Sequence, residues 1–152
     1  MVNSTAISRI NSAKAVLNIE HNSGDLIQKL FDTKKENEAR EILDLLWENM
    51  FHQEEIGEVA FFIVPQLVNY MIENKSLEME ILSYCISIEY HRIIQDIEIP
   101  KEIKNDYENS FEKLWNKINF FLEKDCDFNM CIAISSLIAL KNNQLKLISM
   151  LL

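Results

Sequence analysis

Glycine and proline are scarce in this sequence, which contains only two of each among its 152 residues. Folds with many tight turns need both, because glycine tolerates positive φ angles and proline presets φ in turns. Their scarcity argues against an all-β sandwich, and the long stretches without either residue favour helix. The sequence therefore predicts an all-α protein.

Cysteine is also rare, with one residue at each of positions 85, 126 and 131. An odd number of cysteines without regular spacing argues against a disulfide framework. Cys85 lies in the apolar run ILSYCISI, where cysteine behaves as a small hydrophobic residue. We therefore predict that Cys85 is part of the core and that the cysteines hold no metal or redox centre.

Patterns that carry catalysis or hold cofactors are missing. The histidines are His21, His52 and His91, and none is placed at i,i+4 from another or beside paired cysteines, as a local zinc site requires. Gly24 and Gly57 are too far apart to build a phosphate-binding loop, and the sequence has no G-x-S-x-G motif. We therefore expect no metal, no cofactor and no enzymatic activity.

Positive charge is in deficit, since 15 Lys and Arg residues against 24 Asp and Glu residues give a formal net charge of −9. Such a surface repels nucleic acid and anionic membranes, and it attracts basic proteins. The charge can also serve solubility alone. We expect a protein partner, with a basic one favoured by the charge, and no nucleic acid.

Long apolar runs are absent too. No segment approaches the ~18 consecutive apolar residues of a membrane span, and the first 20 residues lack the apolar core of a signal peptide. We therefore expect a cytoplasmic protein that does not bind membranes. The length and a composition of 48% hydrophobic residues are typical of one globular domain, which we place at residues 1–152.

Apolar residues recur at helical spacing along most of the chain. They predict about seven helices, besides a short helical segment at 26–31: residues 3–19, 34–51, 54–73, 77–94, 101–124, 127–141 and 144–152. Segment 77–94 is apolar on most sides, which indicates a central helix. The alternation of helix, short turn and helix predicts antiparallel pairs, arranged as a short α-solenoid or an irregular bundle.

Particular residues predict where helices begin and end. Gly24 suits the position after a helix, and Asp25 suits the cap of the next one. Thr33 and Glu36 match a capping box. Pro65 interrupts the apolar pattern of 54–73 and predicts a kink or a break there.

The helix at 34–51 has two chemically different sides. Its apolar residues form one predicted buried side: Ala39, Ile42, Leu43, Leu46 and Met50. Glu41, Asp44 and Glu48 lie together on the other side. A carboxylate stripe of this kind is commonly only solvated, and it can alternatively contact a partner.

The segment after this helix contains the sequence's most unusual local pattern, in which His52 and Gln53 follow Trp47. In one interpretation His52 bonds a terminal carbonyl of the first helix and Gln53 caps the second. In the other, both side chains shape a recognition surface. Trp47 and Trp115 are amphipathic, and we interpret both as partly buried core residues.

Segment 46–68 resembles small HEAT-like, all-helical immunity proteins of bacterial toxin systems. Their pattern is a Leu-Trp pair, a His-Gln pair at a turn, an alanine in the next helix and a Pro-Leu pair. The matching residues here are Leu46, Trp47, His52, Gln53, Ala60, Pro65 and Leu67. Glu54 stands where the family commonly has glycine, and Gln66 separates the proline from the leucine.

The resemblance implies a HEAT-like protein that binds a cognate toxin and neutralises it by occlusion, without chemistry. Combined with the negative charge, it places the candidate partner-binding residues around the turn: Glu41, Asp44, Glu48, His52, Gln53, Glu54, Glu55 and Glu58. Two other functions remain open, a HEAT-like scaffold or adaptor without a toxin partner and an enzyme of unknown type.

Overall fold

A computed structural model describes the protein at residues 2–13, 22–123 and 126–152. In these ranges the regular secondary structure is helical except for one two-stranded hairpin, which confirms the predicted all-α class. The helices are α1 (Ser4–Ser12), α2 (Ser23–Asp32), α3 (Glu36–Met50), α4 (Val59–Asn74), α5 (Glu78–Ile94), α6 (Lys104–Asn116), α7 (Ile118–Leu122), α8 (Phe128–Lys141) and α9 (Leu145–Leu151). The strands are β1 (Phe51–His52) and β2 (Glu55–Ile56), which pair antiparallel.

Helix α4 lies at the centre of the fold and contacts α1, α2, α3, α5 and α6. The predicted seam of this helix is buried, and so are residues on its other sides, such as Phe61, Phe62 and Val64. Helix α5, the predicted central helix, contacts α4, α8 and β2. Burial of α4 on all sides follows from its composition, since a helix that is apolar all round is stable only among other elements.

Helix α4 passes through Pro65 without a break, contrary to one of the two predicted outcomes. Proline leaves the carbonyl of Phe61 without its usual helical partner, at a cost of ~3 kcal/mol or more. Pro65 is itself buried, and its neighbour Val64 is fully buried. The packing of apolar residues on every side of α4 outweighs the lost hydrogen bond.

Helices α3 and α5 run parallel and meet through their side chains. Their contacts join residues 40 positions apart, because Arg40 forms an ion pair with Glu80 and the Tyr84 hydroxyl donates to Asp44 Oδ1 at 3.2 Å. A residue further along α3 therefore contacts a residue further along α5, as expected for parallel helices. We call this pair of helices the outer pair.

Helices α4 and α6 also run parallel. The rings of Phe61 and Tyr107 meet edge to face at 5.4 Å between centroids, and Lys113 Nζ donates to Asn69 Oδ1 at 2.8 Å. The first contact lies near the start of both helices and the second lies further along both, so the helices run in the same direction. We call this pair the inner pair, because its aromatic contact is buried.

The predicted boundaries around α2 were wrong in detail. Gly24 does not follow a helix but lies in the first turn of α2, which Asn22 caps instead of Asp25. The Gly24 N–H donates to Asn11 Oδ1 at 2.9 Å, and a Cβ at this position would lie 2.0 Å from that oxygen. A larger residue here would have to displace the Asn11 side chain, so glycine favours the close approach of α1 to α2.

The predicted capping box was also wrong. Helix α3 begins at Glu36 itself, so Thr33 lies too early to cap it. The Thr33 hydroxyl instead accepts from the Lys35 N–H at 3.3 Å and donates to Glu38 Oε2 at 2.7 Å. A short side-chain turn therefore precedes the helix.

Three other helix boundaries differ from the prediction. The predicted helix 101–124 is divided into α6 and α7 at Lys117, and residues 54–58 belong to the hairpin region instead of α4. Helix α1 ends at Ser12, and the remainder of predicted segment 3–19 lies largely outside the described residues, as does His21. The later predictions, 127–141 and 144–152, agree with α8 and α9 to within about one residue.

Candidate interaction surface at the α3–α4 turn

The predicted carboxylate stripe lies on the solvent side of α3. Glu41, Asp44 and Glu48 are all exposed. The residues predicted to face the core are buried: Ala39, Ile42, Leu43, Leu46 and Met50. The sequence period therefore assigned both sides of this helix correctly.

The hairpin after α3 turns through two residues with left-handed backbone. Phe51 pairs with Ile56 and His52 with Glu55, while Gln53 and Glu54 have φ angles of 48° and 67°. Two consecutive positive φ angles are typical of a type I′ hairpin turn, which favours Asn-Gly. Gln and Glu adopt this backbone only against steric resistance, so tertiary contacts must hold the turn.

Two hydrogen bonds supply that support. Gln95, which follows α5, donates from Nε2 to the backbone oxygen of Glu54 at 2.6 Å. The Gly57 N–H donates to the Met50 oxygen at 2.8 Å and closes the base of the hairpin. The Gln53 and Glu54 side chains are exposed at the tip. The turn is therefore fixed in place while its polar side chains face solvent.

The structural interpretation of the His-Gln pair was wrong. His52 is a strand residue, and the terminal carbonyls of α3 accept from the backbone N–H groups of Phe51 and Gly57 instead. Gln53 is at the turn tip, and α4 begins after Glu58 with no side-chain cap. The pair is thus free of the two capping roles. Its proposed place in a recognition surface stays a prediction.

A line of four rings in contact connects α3 and the hairpin to α5. Trp47 stacks on Tyr84 with centroids 4.5 Å apart and an interplanar angle of 19°. Trp47 also contacts Phe51 at 4.9 Å, and Phe51 contacts His91 at 4.7 Å. All four rings are partly exposed. We call Trp47, Phe51, Tyr84 and His91 the aromatic strip.

The edge of the aromatic strip is polar. The Tyr84 hydroxyl donates to Asp44, and burial together with the charge of this carboxylate raises the pKa of Tyr84 to about 12. The hydroxyl therefore stays protonated at neutral pH and remains a donor. The Nδ1–H of His91 donates to the backbone oxygen of Ser87 at 2.9 Å, which fixes its ring within the strip.

The sequence analysis assigned Trp47 to the partly buried core and did not single out Tyr84, His91 or Gln95 as parts of this surface. These three residues come from α5 or its end, and only the alignment of α3 with α5 brings them to the turn. Asp44 and Tyr84 are 40 residues apart in the sequence, and this spacing indicates a contact only once α3 and α5 are known to run parallel.

A cluster of hydrogen-bonded polar side chains lies between α5 and α6, beside a cleft of about 420 Å³. Arg92 bonds both carboxylate oxygens of Glu89, at 2.7 and 2.8 Å, and the Tyr107 hydroxyl donates to Glu89 Oε2 at 3.0 Å. Burial, and then the charge of Glu89, raise the pKa of Tyr107 well above its ordinary value. The hydrogen bonds among these three side chains connect α5 to α6.

In the described ranges no group of three or more His, Cys, Asp or Glu residues is arranged to hold a metal ion. None of the helices in the same ranges is both long enough and apolar enough to cross a bilayer. Cys85 is fully buried, as predicted, and burial raises the pKa of its thiol to about 12. No protein-family model matches the chain, and no curated protein or solved structure has significant similarity to it.

Proposed function

We propose that this protein is an immunity protein, which binds a basic bacterial toxin at the α3–α4 turn and neutralises it by occlusion, without catalysing a reaction. The observation that carries the proposal is the aromatic strip, whose four partly exposed rings adjoin the carboxylate stripe of α3. Large apolar rings surrounded by charged groups are typical of the centre and rim of protein interfaces.

Trp47 and Tyr84 are suited to be the anchors of such an interface. Tryptophan and tyrosine are enriched among the residues that contribute most to binding, because each offers a large rigid surface at low entropic cost. Their stacked rings hold each other in position before a partner arrives. A preorganised surface loses less conformational entropy on binding.

The charges around the strip favour a basic partner. Glu41, Asp44 and Glu48 are exposed along α3, while Glu54 and Glu55 are exposed on the hairpin. Opposite charges steer partners together and raise association rates, and salt reduces the effect. The remaining candidate residues on this surface are the half-buried His52 and the exposed Gln53 and Glu58.

The stacking of helices supports a HEAT-like arrangement for this surface. Contacts between residues 40 apart place α5 parallel to α3, and α6 lies parallel to α4. HEAT repeats are helix pairs of ~40–47 residues whose successors stack in the same way. In such an array one layer of helices forms an extended face that binds other proteins.

The first experiment tests binding and neutralisation together. The chain is expressed with each toxin-like protein encoded beside its gene, and growth and complex formation are measured. We expect one of these proteins to be toxic alone, to be neutralised by the chain and to bind it with a submicromolar Kd. A failure to bind any of them would contradict the proposal, and binding without neutralisation would favour the scaffold alternative.

The second experiment locates the surface with charge-matched variants. The triple variant Glu41→Lys, Asp44→Lys and Glu48→Lys changes the net charge by +6. A control with the same change replaces three exposed glutamates elsewhere: Glu98, Glu102 and Glu123. We expect the first variant to lower the association rate at low salt by at least about tenfold and the control to have much less effect. Equal losses would show that only global charge matters.

A further inference from the structure

Exposed apolar residues are concentrated at one end of the described chain. Among the described residues, seven large hydrophobic side chains are exposed, and only Ile94 lies before residue 122. The strongest cases are Phe128, which is 78% exposed, and Met150, which is 75% exposed. Large exposed apolar patches on a protein surface usually mark an interaction site.

Helix α8 exposes an uncharged stripe along its whole length. Phe128, Cys131, Ser135 and Ile138 are all exposed and recur at intervals of three or four residues, which places them on one side of the helix. The opposite side packs within the protein, where α8 contacts α5 and α6. Helix α9, which also packs against α8, exposes Leu147 and Met150 three residues apart.

Charge distribution indicates what covers this stripe. The chain has a net charge of −9, so two copies repel each other over most of their surfaces. Residues 126–152 contain only Asp127, Lys141 and Lys146 as charged groups. This region is therefore the part of the described chain at which a second copy can approach with least repulsion.

The order of residues along α8 is self-complementary. Asp127 caps the N-terminal end of the helix by accepting from the Met130 N–H at 2.8 Å, and Lys141 is the last helical residue. In an antiparallel pair of such helices, the aspartate end of each helix lies near the lysine end of the other copy, where Lys141 Nζ also lies 5.5 Å from the centroid of its own Trp115 ring. The helix dipoles are then opposed as well, which is the favourable orientation.

We propose that α8 is a homodimer interface, in which its exposed stripe packs antiparallel on the same stripe of a second copy. Ser135 lies at the two-fold axis, where its small side chain allows the helices to approach closely. Phe128 then packs near the end of the other α8, and Cys131 packs near Ile138 of the other copy. This proposal is independent of the toxin partner, because it concerns a different surface.

Sedimentation of the purified chain over a range of concentrations tests the association. We expect a reversible monomer–dimer equilibrium, and Ile138→Glu should raise the dimer Kd by at least about tenfold, because it places an unpaired charge in an apolar contact. The matched control is Ile94→Glu, at a hydrophobic residue of α5 that is 49% exposed. Circular dichroism verifies that both variants remain folded. A monomer at all concentrations, or equal weakening by both variants, would overturn the proposal.

A cysteine crosslink tests the antiparallel register. In the background Cys131→Ser, the substitution Ser135→Cys puts a thiol at the two-fold axis, and we expect mild oxidation to yield a covalent dimer. In the unmodified chain the two Cys131 thiols are offset by about 12 Å along the helix axis, since each lies four residues from position 135. They should therefore not crosslink. Rapid crosslinking through Cys131 with none through position 135 would overturn this register.

Discussion

The inner and outer helix pairs have the same parallel geometry but differ in how deeply their contacts are buried. Each pair joins two parallel helices through an aromatic contact, between Phe61 and Tyr107 in the inner pair and between Trp47 and Tyr84 in the outer pair. The inner rings are 2% and 1% exposed, whereas the outer rings are only partly buried. The buried contact stabilises the fold, and the outer contact leaves part of each ring exposed.

The tyrosines of the two pairs show the same difference. Tyr107 donates to Glu89, whose charge is matched by Arg92. Tyr84 donates to Asp44, an exposed carboxylate. A negative charge satisfied within the protein contributes to cohesion, while one facing solvent remains available for steering. The inner and outer pairs therefore differ in how far their contacts and charges are buried.

The largest expected effect comes from truncating the inner contact. Phe61→Ala should lower the free energy of unfolding by about 3–5 kcal/mol, because it leaves a cavity in a fully packed region. Trp47→Ala in the outer pair should lower it by only about 1–2 kcal/mol, since part of that ring is already in water. Urea denaturation of both variants measures the difference. Similar losses of unfolding free energy in both variants would contradict the distinction between the inner and outer pairs.

The same outer variant should have its main effect on binding. Trp47→Ala is expected to weaken the complex with the toxin by about 2 kcal/mol or more, which is typical of an interface anchor. Calorimetric titration of the folded variant measures the loss. Trp115, the other tryptophan, provides the control, because Trp115→Leu lies outside the aromatic strip and should leave affinity nearly unchanged. A larger loss at Trp115 would place the interface elsewhere.

Much of the fold followed from periodicity, whereas the surface did not. The buried and exposed sides of α3 could be predicted because both depend on residues three or four apart, such as Leu43 and Met50 against Asp44 and Glu48. The aromatic strip could not, because Tyr84 reaches Trp47 only through the parallel alignment of α3 and α5. Tertiary contacts of this kind leave no local pattern.

The errors at helix ends have a similar origin. Asp25 is as good a cap as Asn22 by sequence, but the approach of Asn11 to Gly24 fixes the earlier start of α2. Pro65 is a helix breaker in isolation, yet α4 continues because every side of it is packed. Local propensity therefore failed where contacts between helices outweighed it.

Alkaline pH should distinguish the two tyrosines. Burial raises the pKa of Tyr107 well above 10 and that of Tyr84 to about 12, so both hydroxyls bind their protons more tightly in the folded state. Stability from this source is complete below about pH 10 and is lost as the pH rises further, by up to about 1.4 kcal/mol per pH unit for the buried Tyr107 and by less for the partly exposed Tyr84.

Removing one hydroxyl should therefore flatten the pH dependence. Above pH 10, we expect Tyr107→Phe to reduce the slope of the unfolding free energy against pH by the amount that corresponds to about one bound proton. At neutral pH, the lost hydrogen bond should lower the free energy of unfolding by about 1 kcal/mol. Tyr84→Phe should give a smaller reduction, because Tyr84 is only partly buried. Urea denaturation between pH 8 and 11.5 supplies the slopes. An unchanged slope in Tyr107→Phe would show that this tyrosine does not stay protonated in the fold.

The smallest effect is expected at the hairpin, where stability and recognition have opposite requirements. Glu54 has a φ angle of 67°, so Glu54→Gly should relieve steric resistance and raise the free energy of unfolding by about 0.5–1 kcal/mol. Lys75, with a φ angle of 52° at the end of α4, is the matched control, and Lys75→Gly should stabilise similarly. Only Glu54→Gly should slow association with the toxin, because it alone removes a charge from the proposed surface. If both variants are equally stabilised and neither changes binding, the strained turn serves the fold and not the partner.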